Sequence, residues 1–260
     1  MSLSLREREI LDIARDSGSV MVEDLAMRMN VTVQTIRRDL TNLANAGRLE
    51  RVHGGAVLPS GVRNIRYEER RQVNAAAKDA MARAAAARIP DGSALFLNIG
   101  TSTEALARAL RGHDGLLVAT NNLNVADILS ATPECEVLLT GGRPRPEDGG
   151  LTGPVAAQML RSFRFDIAVL GCSAISDDLG AYDFDMNEVI VSQTALAQSR
   201  SAWLLADHSK FQRHAPVQIT TLDMVDRLFT DQPVPTGPSS DIPENLDVVV
   251  AIPEATQDLP

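Results

Sequence analysis

The chain lacks what several common kinds of protein are built from. It has only two cysteines, Cys135 and Cys172, too few for a disulfide scaffold. Both sit in apolar stretches without metal-ligand spacing, which predicts reduced core residues of a cytoplasmic protein. No apolar run approaches the roughly 18 residues that a spanning helix needs. The opening MSLSLREREI is charged and helix-forming, unlike a secretory leader. No membrane association, metal or cofactor is expected. An excess of positive charge is missing too: the formal net charge is −9, which argues against a nucleic-acid binder until the charge is divided. Residues 1–60 hold 8 Lys+Arg against 8 Asp+Glu, and residues 61–260 hold 17 against 26. All the acid excess lies beyond the first sixty residues. If that segment binds DNA, affinity must come from placed arginines and from dimerisation, not from a global basic field.

The composition that remains is that of an ordinary globular chain, 44% hydrophobic and 23% charged. Its most informative stretch is Asn30–Ala56, NVTVQTIRRDLTNLANAGRLERVHGGA. Thr32 suits the N-cap of a helix starting at Val33. Val33, Ile36, Leu40 and Leu43 share one face of it. The opposite face carries Gln34, Thr35, Arg38, Asn42 and Asn45, a set of donors and acceptors with one cation, matched to base edges in a major groove. Arg37 projects to the flank, towards a phosphate wall. Gly47 is expected to end the helix. Arg48–Val52 then reads as a strand that Gly54-Gly55 turns back into Ala56–Leu58, placing Arg51, His53 and Gly54 on a hairpin beside the helix. The bland alternative is a solvated amphipathic helix that only packs.

The residues before it tilt the balance. Ser4 and Glu7 form a capping box at the head of a first helix with Ile10, Leu11 and Ala14 on its apolar face. Glu23 and Asp24 fall in the first turn of a second helix, where the dipole favours acids, and Val22, Leu25 and Met29 are its buried side. Three short helices and a hairpin make a winged helix-turn-helix, assigned to residues 1–58.

Pro59-Ser60-Gly61 reads as a linker and Arg66–Arg88 as one long helix, so residues 59–90 connect the module to an α/β domain at 91–260. There, apolar runs at Ala94–Ile99, Leu116–Ala119, Glu136–Leu139, Ile167–Gly171, Trp203–Ala206 and Arg227–Thr230 alternate with helical segments, and Val248–Ile252 could add an edge strand. Continuous rather than alternating apolar strands predict a mostly parallel sheet covered on both faces. Such sheets bind ligands at the carboxyl ends of their strands. Three strand ends are small and polar: Asn98 with Gly100, Thr101, Ser102 and Thr103; Thr120 with Asn121; and Thr140 with Gly141 and Gly142. The first enters a helix, whose free N–H groups favour an anion. Asp183, Asp185 and Glu188 precede a later helix, and Lys210 follows a strand, able to neutralise a phosphate or to pair with one of those carboxylates. Against a site stands the plain reading, capped turns and a solvated lysine.

Together these segments resemble the DeoR family of bacterial transcription regulators, through Arg6-Glu7-Arg8, Val22–Ala26, Thr35–Leu40, Arg51–Ala56 and the later turns from Gly100–Thr103 to Asp207–Phe211. The resemblance implies an effector domain similar to ribose-5-phosphate isomerase. It implies sensing of a phosphorylated sugar or related metabolite rather than its conversion, operator DNA as partner, and a homodimer or homotetramer. Asn98, Ala174 and Ser192 depart from the family pattern, which usually has aspartate, glycine and lysine there. The rival expectation is a sugar-phosphate isomerase with an appended helical module, using Asp183, Asp185 or Glu188 as general base.

Overall fold

The computed structural model describes residues 3–17, 19–46, 48–52, 54–57, 67–235 and 242–253. Gly47, His53, the linker at Pro59-Ser60-Gly61 and Arg66 lie outside these. The N-terminal module follows from its caps. Ser4 and Glu7 exchange the expected capping-box bonds (Ser4 N to Glu7 Oε2, 2.8 Å; Glu7 N to Ser4 Oγ, 3.1 Å) at the head of α1, Leu5–Ser17. Helix α2 is Val22–Arg28, and α3 is Val33–Asn45, opened by the Thr32 side chain accepting from Thr35 N. Asn30, at φ +50°, makes the turn between them, a left-handed conformation that asparagine tolerates better than most residues. Ile10, Leu11, Leu25, Ile36, Leu40 and Leu43 fill one core, and Arg6 ties α1 to α3 through Asp39.

The hairpin has a third strand that the sequence reading missed. Strand β1, Ser19–Met21, pairs with β3, Gly55–Val57, whose other edge pairs with β2, Glu50–Val52. The glycines serve different needs. Gly54 takes φ +79°, whereas a methyl on Gly55 would lie 2.1 Å from the Val20 carbonyl oxygen. Gly55→Ala should therefore open the β1–β3 pairing and cost about 2 kcal/mol. Gly54→Ala should cost about 1 kcal/mol, mainly through φ, since the methyl would meet only the flexible end of Met21 at 3.1 Å. Hydrogen exchange of the wing amides reads both, and parent-like protection in Gly55→Ala would refute the close approach.

The expected long helix is two. Helix α4, Tyr67–Gln72, ends before Asn74, which sits at φ +52°, and α5, Ala75–Ala86, begins after it. Then come β4 (Ala94–Leu97), α6 (Thr101–Ala109), β5 (Leu116–Thr120), α7 (Leu123–Ser130) and β6 (Cys135–Leu139). The hairpin β7 (Arg143–Pro144) and β8 (Leu151–Thr152) precedes α8 (Pro154–Leu160) and β9 (Phe165–Gly171). Next follow β10 (Ala174–Ile175), β11 (Gly180–Asp183), α9 (Met186–Ala197), β12 (Ser199–Leu205), β13 (Val217–Thr221), β14 (Arg227–Thr230) and β15 (Asp247–Val250). Seven strands form one parallel sheet in the order β15-β14-β12-β9-β4-β5-β6. Leu95 and Leu97 face α5, α6 and α7, while Phe96 faces α8 and α9. With both faces buried, the strands read as continuous apolar runs. Hairpin β7–β8 and the small antiparallel sheet β10-β11-β13 were not foreseen; strands of two to five residues carry too little pattern. From β4 the chain runs outward through β5 to β6, then returns to β9 on the other side. The order therefore reverses between β4 and β9, the switch point where open parallel sheets form their ligand crevice, at the strands' carboxyl ends.

Candidate functional site

On the N-terminal module, Gln34, Arg37, Arg38 and Asn42 stand exposed along α3 with Thr35 partly covered, and Arg51 and Gly54 are exposed on the hairpin. Three of these make side-chain contacts within the module: Asn42 donates to Glu7 (3.3 Å), Arg51 to the Arg37 carbonyl (3.4 Å), and the Thr35 hydroxyl bonds that of Thr32 (2.9 Å). The apolar face of α3 is consumed by the core, so its polar face is the one left to a partner.

In the crevice, Asn98 lies at the switch point and staples its two sides. Its Nδ2 donates to the Gly171 carbonyl (3.1 Å) and its Oδ1 accepts from Gly171 N (2.8 Å). Gly100 leads into α6, which starts at Thr101. Thr103 spends its hydroxyl on the carbonyls of Asn98 and Gly100. Thr101 donates to the Arg70 carbonyl at 3.4 Å, and Ser102, nearly buried, makes no side-chain hydrogen bond among the described residues. The first N–H groups of α6 have no partner within the helix. At the ends of β5 and β6, Asn121 Oδ1 and Thr140 Oγ1 are buried without a hydrogen-bond partner among the described residues. Thr120 bonds the Leu97 carbonyl. Gly142 needs its φ of +135° for the turn into β7, and Gly141 packs against Val155.

The acids at the far side are met by an arginine that the sequence reading passed over. Arg145, on the β7–β8 loop, reaches Asp148 (2.6 Å), Asp185 (3.0 Å) and Glu188 (2.7 Å). Asp185 caps α9, Glu188 lies in its first turn, and Asp183 accepts from Ser173 and Phe184 N. Burial pushes the Glu188 carboxyl up, and neighbouring Asp183 adds to this against the pull of Arg145. Burial also raises Asp183. Lys210 makes no ion pair with any of these acids. It sits in the turn His208–Gln212, where its field acts on Asp207. Burial would raise Asp207, but Lys210, Ser209, Lys78 and Asn74 outweigh it and hold the carboxyl at about 2. Burial, helped by Lys210, brings Lys78 down to about 7. Arg213 is 7% exposed, and among the described residues neither it nor Lys210 makes a side-chain hydrogen bond or ion pair. A buried arginine and a half-buried lysine that share the field of one carboxylate, Asp207, leave positive charge over, which suits an anion.

The reading also missed Tyr67, Arg70, Lys78, Glu104, Asp148 and Arg213. One signal was available: Lys78 shares a helical face with Met81, Ala82 and Ala85 in an alanine-rich run, which places its stem towards the core. Of the departures from the family pattern, Ala174 lies in β10 outside the positive-φ region, so no glycine is needed there. Asn98 and Ser192 meet, Nδ2 to Oγ, at 3.5 Å.

Residues 6–62 match the DeoR-like helix-turn-helix domain and residues 73–232 the DeoR C terminal sensor domain. The chain is 40% identical over 237 residues to the glycerol-3-phosphate regulon repressor of Escherichia coli (strain K12), covering 91% of this chain and 94% of that one. It is 37% identical to the HTH-type transcriptional repressor CsqR of the same organism, covering 96% and 95%. Among solved structures, ribose 5-phosphate isomerase a from Methanocaldococcus jannaschii overlaps 52% of this chain and 53% of its own, at 14% identity and a TM-score of 0.39.

Proposed function

The chain belongs to the DeoR family of DNA-binding transcriptional regulators, a regulator rather than an enzyme, and on that premise we propose that it represses a carbohydrate or polyol operon and is released by a small phosphorylated metabolite. The isomerase alternative gives way to this membership. We assign operator contact to Gln34, Thr35, Arg37, Arg38, Asn42, Arg51, His53 and Gly54, on a DNA-binding domain of residues 1–58. Residues 59–90 connect it to an effector domain of residues 91–260. One recognition helix reads a half-site, so the acting species is an even-numbered homo-oligomer, in the cytoplasm where the operator lies.

The observation that carries the effector reading is the meeting of two anion-favouring features at one switch point. Thr101, at the open N-terminus of α6, donates to the Arg70 carbonyl, which Lys78 also caps, and half-buried Lys210 and buried Arg213 add positive charge within reach of Arg70. We assign the phosphate to Gly100, Thr101, Ser102, Thr103 and Lys210. The polyol hydroxyls fall to Asn98, Thr120, Asn121, Gly141, Gly142, Asp183 and Glu188, carboxylates and amides being suited to accept from them. A named relative makes glycerol 3-phosphate the first probe. At 100 times its Kd a true effector should stabilise the protein by about 2.7 kcal/mol and should weaken operator binding in a fluorescence-anisotropy titration. A panel of phosphorylated sugars and polyols that neither shifts the melting curve nor releases DNA would dismiss this reading.

A further inference from the structure

Helix α4 is the first described element after the wing, and polar bonds dominate its attachment. Its sequence, YEERRQ, has no aliphatic side chain, and of its side chains that are described Tyr67 and Arg70 are half-buried and Arg71 and Gln72 exposed. Polar bonds hold it over the crevice, to three separate segments. Tyr67 OH donates to both oxygens of buried Glu104 at 2.9 Å, and Asn124 donates to that hydroxyl at 3.1 Å. Arg70 pairs with Asp148 on the β7–β8 loop at 3.2 Å. Just beyond the helix, Asn74 donates to Asp207 at 2.8 Å. Lys78, from α5, caps the carbonyls of Arg70 and Val73. The left-handed break at Asn74 separates this polar roof from α5, which is buried against the sheet.

We propose that α4 is the transmitting element: latched over the crevice in the operator-binding state, and unlatched when an anion occupies the N-terminus of α6. This rests on the crevice being the effector site. The bonds are arranged for exchange. An anion at Thr101 competes for the hydroxyl that now reaches the Arg70 carbonyl. It also offers a counter-ion to the Arg70 guanidinium, whose Nε is buried without a partner. Asp148 loses little when Arg70 leaves, because Arg145 keeps two bonds to it, at 2.8 and 2.6 Å. A helix docked by apolar burial would not answer to charge; one docked by ion pairs and hydroxyls does. Both ligands then bias one two-state element, which is the physical content of coupling.

The test is Tyr67→Phe, which keeps the ring beside Arg70 and Arg71 and removes only the latch hydroxyl, together with Asn74→Gly, which removes the Asp207 bond and frees the hinge. Destabilising the latched state should weaken operator binding of the ligand-free full chain by about fivefold or more. Because it raises the unlatched fraction, it should also tighten glycerol 3-phosphate binding. A lower melting temperature with both affinities unchanged would make α4 merely structural. Weaker glycerol 3-phosphate binding with parent-like operator affinity would make Tyr67 a ligand contact. Either result overturns the proposal. If the parent binds no phosphorylated metabolite, the effector reading fails, and the operator arm still decides this one: unchanged operator affinity in both variants refutes it, and weakened affinity supports it.

Discussion

Arg38→Ala is expected to weaken binding to the specific operator by about 1–3 kcal/mol, roughly 5- to 150-fold, and to relax sequence choice at the position it reads. The reason is where the side chain starts. Ile36, Leu40 and Leu43 are fully buried and fix the rotation of α3, so Arg38 leaves from the middle of the exposed face. Arg37 leaves from the flank, and its carbonyl already accepts from Arg51 and Thr41. Arg37→Ala should therefore weaken specific and non-specific DNA alike, as loss of a phosphate contact does, and should lower the salt slope by about one. Anisotropy titrations at several salt concentrations, with operator and scrambled duplexes, separate the two behaviours. Equal loss of discrimination from both variants would cancel the assignment.

Where sequence pattern had a long period to work with, it anticipated the fold. The apolar face of α3, the capping box of Ser4 and Glu7, and the parallel strands were all legible, because burial on one helix face or on both sheet faces imposes a repeat. What escaped was short or non-local. Strand β1 is three residues long and exists because β3 offers it an edge. The split of α4 from α5 depends on one asparagine in a left-handed conformation, where no glycine or proline marks the break. The crevice was legible only in part. Its turns announce themselves by composition, but Arg145 sits in a loop, and its three carboxylates come from positions 3, 40 and 43 residues away. Pairing across such separations leaves no local trace.

The departures at Asn98 and Ser192 illustrate the same limit. In the sequence they are two isolated losses of charge, 94 residues apart. In the fold they face each other at 3.5 Å, with Asn98 also bonded to both backbone groups of Gly171 and Ser192 wholly buried. An aspartate at 98 opposite a serine, or a lysine at 192 opposite an asparagine, would leave a buried charge uncompensated, at a cost of several kcal/mol. The neutral pair is self-consistent, so the floor of the crevice keeps its geometry while losing its charge. Recognition of an anionic ligand then falls more heavily on the mouth.

That places the greatest weight on Thr101. Thr101→Glu should give a protein that binds its operator and no longer responds to effector. Thr101 is the first residue of α6, where an acidic side chain agrees with the helix dipole, so the variant should fold. Its carboxylate would occupy the space of a phosphate carrying a charge near −2, and like charges in contact repel one another. The operator surface lies on a separate core, around Ile36 and Leu40. The measurement is operator binding with and without glycerol 3-phosphate and the wider panel. Release of the variant at the same effector concentration as the parent would remove this turn from the site. A variant that stays off the operator without effector points the other way, since the new carboxylate then stands in for the phosphate. Thr101→Val distinguishes that case. Lacking charge, it cannot imitate the ligand; losing only the long 3.4 Å bond to the Arg70 carbonyl, it should bind operator within about twofold of the parent while needing about tenfold more effector for release, the loss of one hydrogen bond to a charged group.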